Sequence, residues 1–193
     1  MKKSINTFLK HAGQDIVNRS ANPAIVRAST IFFKSVQELR SHQKKINKNK
    51  AVAFYDYGRQ GSQTTIFLQK ILKELEEAHH VFLTQTGFGS VALAIMSICR
   101  PGDEIVISDC VYRPTQKLVS ELLKEFDVKA NWYNPNDLKD LKKKTNKKTK
   151  LIYVENPGSN TFEFQDLKKI VSFAKKKNIF TAIDNTWGTA YFM

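Results

Sequence analysis

The spacing of apolar residues changes near position 63. Before it no period is sustained. Extended stretches such as Ala28-Ser29-Thr30-Ile31-Phe32-Phe33 alternate with a polar Lys/Asn linker over 43–50, and Asn22-Pro23 breaks the chain. Residues 1–62 therefore read as an N-terminal arm that packs on something else. From Gln63 onward, Leu68, Ile71, Leu72, Leu75 and Ala78 fall at helical spacing and predict an amphipathic helix. Strand and helix patterns then alternate. A first strand is expected over 81–84 and a buried helix over 91–98. Pro101-Gly102-Asp103 is a turn into a second strand over 104–108, followed by a helix over 115–126. A third strand over 129–133, a short helix near 137–143, a fourth strand over 151–155, a helix over 165–177 and a fifth strand over 179–183 complete the pattern. Strands separated by helices predict an α/β fold, a doubly wound parallel sheet with helices on both faces. Residues 63–193 are its domain. Ligands bind such sheets at the carboxyl ends of the strands. Thr86-Gly87, Glu155 and Asp184 all fall at that rim.

The net charge of +13, from 31 Lys and Arg against 18 Asp and Glu, invites a nucleic-acid reading. Its distribution argues against one. Seven lysines and a single acid occupy 139–150, without the interleaved aromatics that stack on bases. Such runs are solvated faces. Cys99 and Cys110 form no CxxC or Cys/His pair, so neither a disulfide framework nor a zinc site is indicated. Met1-Lys2-Lys3 is followed by Asn6, Thr7 and Lys10, not by the apolar core of a signal peptide. The longest apolar run, 91–99, is too short to span a membrane. A cytoplasmic protein with no membrane or nucleic-acid partner is expected.

Three segments carry chemistry. Gly87 and Gly89 let the backbone approach a ligand closely, and a helix starting near Phe88 aims unpaired amides at an anion. Gly87-Phe88-Gly89-Ser90-Val91-Ala92 also fits G-x-G-x-x-A, with Asp109 where a ribose-binding acid belongs, so a dinucleotide-binding module stays open. Asp184 ends an apolar strand, and a carboxylate there needs a partner or a cationic neighbour. Capping the next turn is its simpler role. Arg59, between Gly58 and Gly61, offers a planar fork suited to phosphate. Tyr112 could place its ring over a flat ligand. Together these suit a phosphorylated, nitrogen-containing cofactor.

The segments Tyr57-Gly58-Arg59-x-Gly61, Gly87 with its neighbours, Tyr112-x-Pro114-Thr115, Glu155-x-Pro157-Gly158-Ser159 and Asp184-Asn185-Thr186 resemble the Cys/Met metabolism family of pyridoxal-phosphate enzymes. These are the transsulfuration lyases and synthases of fold type I. Tyr57-Gly58-Arg59 and Asp184-Asn185-Thr186-Trp187 look most like bacterial cystathionine β-lyase, with γ-lyases and γ-synthases as the alternative. The resemblance implies pyridoxal 5'-phosphate as cofactor and a sulfur amino acid as substrate, in methionine biosynthesis. It implies a homodimer or homotetramer, phosphate contacts from Gly87, Phe88, Tyr57 and Arg59, ring stacking by Tyr112, and a ring-nitrogen contact from Asp184. The family's Schiff-base lysine sits in a Ser/Thr-x-Thr-Lys segment on the strand after the aspartate. No such segment occurs here. A chain truncated before that lysine, and inactive alone, is therefore expected.

Overall fold

The computed structural model describes residues 4–12, 14, 19–48, 50, 52 and 54–192. The chain divides into two compact units, Met1–Leu83 and Thr84–Met193. The division falls after the helix that begins at Gln63, not before it.

In the first unit, α1 (Ile5–His11) is capped by the Ser4 side chain. Helix α2 spans Val36–Asn47. It takes in much of the stretch expected as a polar linker. The local reason is a cap: Ser35 Oγ accepts from Glu38 N at 3.1 Å, and Glu38 Oε2 accepts from Lys34 N at 2.7 Å. Satisfying those end groups lets a polar sequence hold a helix. Helix α3 (Gln63–Leu75) starts at a capping box formed by Ser62 and Thr65. Its predicted amphipathic face is present, with Ile66 buried.

The second unit contains a parallel sheet of four strands in the order β2-β1-β3-β4. The strands are β1 (Glu104–Ser108), β2 (Lys129–Tyr133), β3 (Thr149–Glu155) and β4 (Phe180–Asp184). Alternation along the two central strands explains the layers. Ile105, Ile107, Leu151 and Tyr153 face a cluster with Val91, Ile95, Leu118, Val119 and Leu123. Val106, Ile152 and Val154 face the opposite cluster with Leu141, Ile170 and Ala174. Successive side chains on a strand point to opposite faces, so both faces carry helices, as expected.

Helix α4 (Gly87–Ile98) and the helical stretch after β1 cover one face. That stretch runs as α5 (Arg113–Lys117), a π-helical turn (Leu118–Leu122) and α6 (Leu123–Glu125). Helices α7 (Leu138–Lys144) and α8 (Leu167–Lys177) cover the other. A short α9 (Thr189–Phe192) follows β4.

Two expectations need correction. Residues 81–84 pair with no strand among the described residues. The C=O of Val81 is satisfied by Gln69 Nε2 at 2.9 Å, and Phe82 is 77 % exposed. An apolar run becomes a strand only where a neighbour supplies a ladder. Helix α4 is also less buried than its apolar sequence suggests: Val91 and Ile95 are covered, while Leu93 and Met96 are about half exposed.

Candidate cofactor site

The turn into α4 leaves two donors free. Thr86 caps the helix, its Oγ1 accepting from Gly89 N at 3.0 Å, and its C=O accepts from Ser90 N at 3.2 Å. Gly87 N and Phe88 N have no acceptor among the described residues. A Cβ on Gly87 would meet nothing within 4 Å, so there is open space beside its Cα. A Cβ on Gly89 would lie 3.0 Å from the capping oxygen. Two free amides at the positive end of a 12-residue helix favour an anion.

The ends of β1, β3 and β4 assemble the rest. Tyr112 follows β1 and begins α5, its ring half exposed. Its backbone N–H donates to Glu155 Oε2 at 2.6 Å. Glu155 ends β3, is 4 % exposed, and stands in register with Asp184 on β4. Burial pushes the Glu155 carboxyl up to about 7; the Tyr112 N–H works against that rise and Asp184 adds to it.

Asp184 Oδ1 accepts from Thr186 N at 3.0 Å and from Thr186 Oγ1 at 2.6 Å. Its Oδ2 has no donor among the described residues. The two oxygens of this carboxylate thus differ: Thr186 occupies Oδ1 and leaves Oδ2 open. Helix α4 packs against α5, β3 and β4. Phe88 shares an apolar groove of about 540 Å³ with Arg113 and Pro114. Beside Asp184, the rings of Phe162 and Trp187 meet edge to face at 4.9 Å.

Tyr57 and Arg59 belong to the first unit. The Arg59 guanidinium lies 5.2 Å from the centre of the Tyr57 ring. Their turn is pinned by an antiparallel bridge between Thr30 and Tyr57 and by Gly58 N donating to Ser29 O at 2.8 Å. Both side chains are partly exposed, so the fork stays available.

Two participants received no role from sequence. Glu155 was recognisable at the rim, but its bond to Tyr112 crosses 43 residues and left no local signal. Thr186 is adjacent to Asp184, and a hydroxyl two residues after an aspartate is the available clue. Asp109 does not look like a ribose acid. Its carboxyl is pushed above its usual range by burial and by Glu163 and Asp140. The dinucleotide alternative also needs a paired strand ahead of Gly87, which 81–84 is not.

A parallel α/β unit with a helix start that leaves two amides free and a carboxylate at a strand end defines the class. A sequence profile of the Cys/Met metabolism PLP-dependent enzymes matches residues 6–193, and the chain belongs to that family. Pyridoxal 5'-phosphate is the family's cofactor. A Saccharomyces cerevisiae protein provisionally assigned as a cystathionine β-lyase is 35 % identical, over 99 % of this chain and 54 % of its own length. Cystathionine β-lyase of Bordetella avium is 31 % identical, over 98 % of this chain and 48 % of its own. A Campylobacter jejuni protein, provisionally an O-acetylhomoserine (thiol)-lyase, was solved with N'-pyridoxyl-lysine-5'-monophosphate. It superposes with a TM-score of 0.85 at 25 % identity, covering 98 % of this chain and 46 % of that one. The chain spans about half the length of the relatives it matches. These likenesses replace the dinucleotide reading. Among the described residues, no helix is long and apolar enough to cross a membrane.

Proposed function

We propose that this chain forms the coenzyme-holding part of a cystathionine β-lyase-type carbon–sulfur lyase. Its substrate is a sulfur amino acid, with cystathionine cleaved by β-elimination to homocysteine, pyruvate and ammonia. What supports this reading is the pair of free amides at Gly87 and Phe88, together with the free Oδ2 of Asp184 at the end of β4.

The residues fit the coenzyme at both ends. Gly87 N–H and Phe88 N–H bind the phosphate, joined by Tyr57 and Arg59 from a neighbouring subunit of a homo-oligomer. The Arg59 fork matches phosphate oxygens geometrically. Tyr112 would contact the ring. Asp184 Oδ2 would accept the ring N–H and keep the proton there, while Thr186 holds the other carboxylate oxygen. When bound, the coenzyme supplies an electron sink for the substrate Cα.

No residue here matches the family's Ser/Thr-x-Thr-Lys segment, so the test supplies that segment in trans. Co-expression with the C-terminal half of a related β-lyase is expected to give pyruvate release from cystathionine, lost in Asp184→Ala. Absence of activity, together with thermal stabilisation by a dinucleotide but not by pyridoxal phosphate, would overturn the reading.

A further inference from the structure

Glu155 is a buried acid at the centre of the rim with no role in the proposed chemistry. Its Oε2 takes the Tyr112 N–H at 2.6 Å, and its own C=O takes Gln165 Nε2 at 3.1 Å. The adjacent Asn156 N donates to Asp184 O at 3.2 Å. Glu155 thus ties Tyr112, four residues past β1, to the end of β3, and its neighbour Asn156 carries the tie on to β4.

Removing a carboxyl group from water is costly unless hydrogen bonds or protonation compensate. Tyr112 is what it holds. Tyr112 starts α5 without any side-chain cap, and its φ of −49° and ψ of 131° set where its ring emerges. Two α5 amides, Thr115 N and Gln116 N, close onto the Tyr112 C=O at 2.8 and 3.1 Å. The N–H side of the same residue is held by Glu155 alone among the described residues. The direction of the Tyr112 ring therefore depends on a contact made through the main chain.

We propose that Glu155 is a positioning residue that holds the Tyr112 ring over the coenzyme's pyridine through the Tyr112 backbone N–H. This rests on the coenzyme reading above. Glu155 does not touch the phosphate end, which α4 supplies. Its loss is therefore expected to weaken ring-dependent binding and to spare phosphate binding.

The test uses the full chain with two probes, pyridoxamine 5'-phosphate and inorganic phosphate, titrated calorimetrically. Glu155→Leu is expected to lose about tenfold in affinity for pyridoxamine 5'-phosphate, the scale of one net hydrogen bond. Its phosphate affinity should stay within about twofold, well under 1 kcal/mol. Glu155→Gln keeps an acceptor for the N–H and should recover most of the loss. Combining Glu155→Leu with Tyr112→Ala should cost no more than Tyr112→Ala alone, because residues acting through one another are not additive. Should Glu155→Leu fail to fold, Glu155→Asp, one methylene short of the amide, serves the same comparison. Equal loss for both probes, no loss for either, or additive losses would overturn the proposal. A wild-type chain that binds phosphate but not pyridoxamine 5'-phosphate would instead sink the coenzyme reading beneath it.

Discussion

The hydroxyl of Tyr133 donates to Oε1 of Gln165 at 2.6 Å, with both residues buried. Gln165 in turn donates Nε2 to Glu155 O, and its backbone N–H to Asn156 Oδ1 at 2.7 Å. One glutamine thus joins β2 to the loop behind the rim. Tyr133→Phe removes the donor and leaves Gln165 Oε1 buried and unpaired. An orphaned buried acceptor costs about 1–3 kcal/mol. Urea unfolding of the second unit should show that loss, with the denaturant slope unchanged. A stability within experimental error of wild type would mean that water replaces the hydroxyl.

Gly58 makes a second, sharper claim. A Cβ there would stand 1.7 Å from the C=O of Ala28, a contact no rotamer relieves. Gly58→Ala must therefore push the Tyr57–Arg59 turn away from Ser29 and break the 2.8 Å bond to Ser29 O. Overpacking of this kind typically costs about 1–3 kcal/mol. Amide hydrogen exchange at residues 28–30 and 57–61 should speed up, while the second unit is untouched. Unchanged protection at Gly58 N–H would contradict the geometry.

How far these features could be read from sequence depends on how local their causes are. Strands β1 and β3 are short apolar runs bounded by turn residues, and burial on both faces requires that composition, so both were legible. Asp184 and the Gly87 turn were legible for the same reason: each sits where an apolar run stops. Residues 81–84 carry the same apolar signal, but a strand exists only through its neighbour, and that pairing is not written in the segment. The Glu155–Tyr112 bond is likewise long-range. Helix α2 is a different miss, because Ser35 and Glu38 spell out its start locally. The Lys and Asn content of the following residues masked that signal.

Helix α4 tests how narrow its buried face is. Ile95 is fully buried against the sheet, whereas Leu93, two residues away, is 52 % exposed. Ile95→Ala should cost about 2–5 kcal/mol through lost transfer energy and the cavity left behind. Leu93→Ala, on the open face, should cost under about 1 kcal/mol. Chemical denaturation of the two variants side by side decides it. Comparable losses would show that Leu93 is covered in solution, by another part of the protein or by a second copy.

Two buried glutamates should tilt the stability curve in opposite directions. The Glu104 carboxylate accepts from Asn146 Nδ2 at 2.6 Å and from Asn131 Nδ2 at 2.5 Å. The Asn146 bond leads and the Asn131 bond adds to it, holding the carboxyl below its usual range. A lowered folded value means stability present above the unfolded value and lost as pH falls through the folded one. Glu155 is the reverse case. Burial first, and Asp184 after it, raise its carboxyl to about 7, so the folded chain holds that proton more tightly than the unfolded chain. Its contribution is greatest in acid and fades as pH rises from the unfolded value toward about 7. Glu155→Gln removes that titration and keeps an acceptor for Tyr112 N–H. Relative to wild type, it should gain on the order of 2 kcal/mol between pH 5 and pH 8. Glu104→Gln should instead fall furthest behind wild type near neutrality and draw level in acid. Urea midpoints taken across pH 3.5–8 for the three proteins measure both trends. A flat difference between Glu155→Gln and wild type over pH 5–8 would mean that Glu155 is ionised throughout, held so by a cation on the rim.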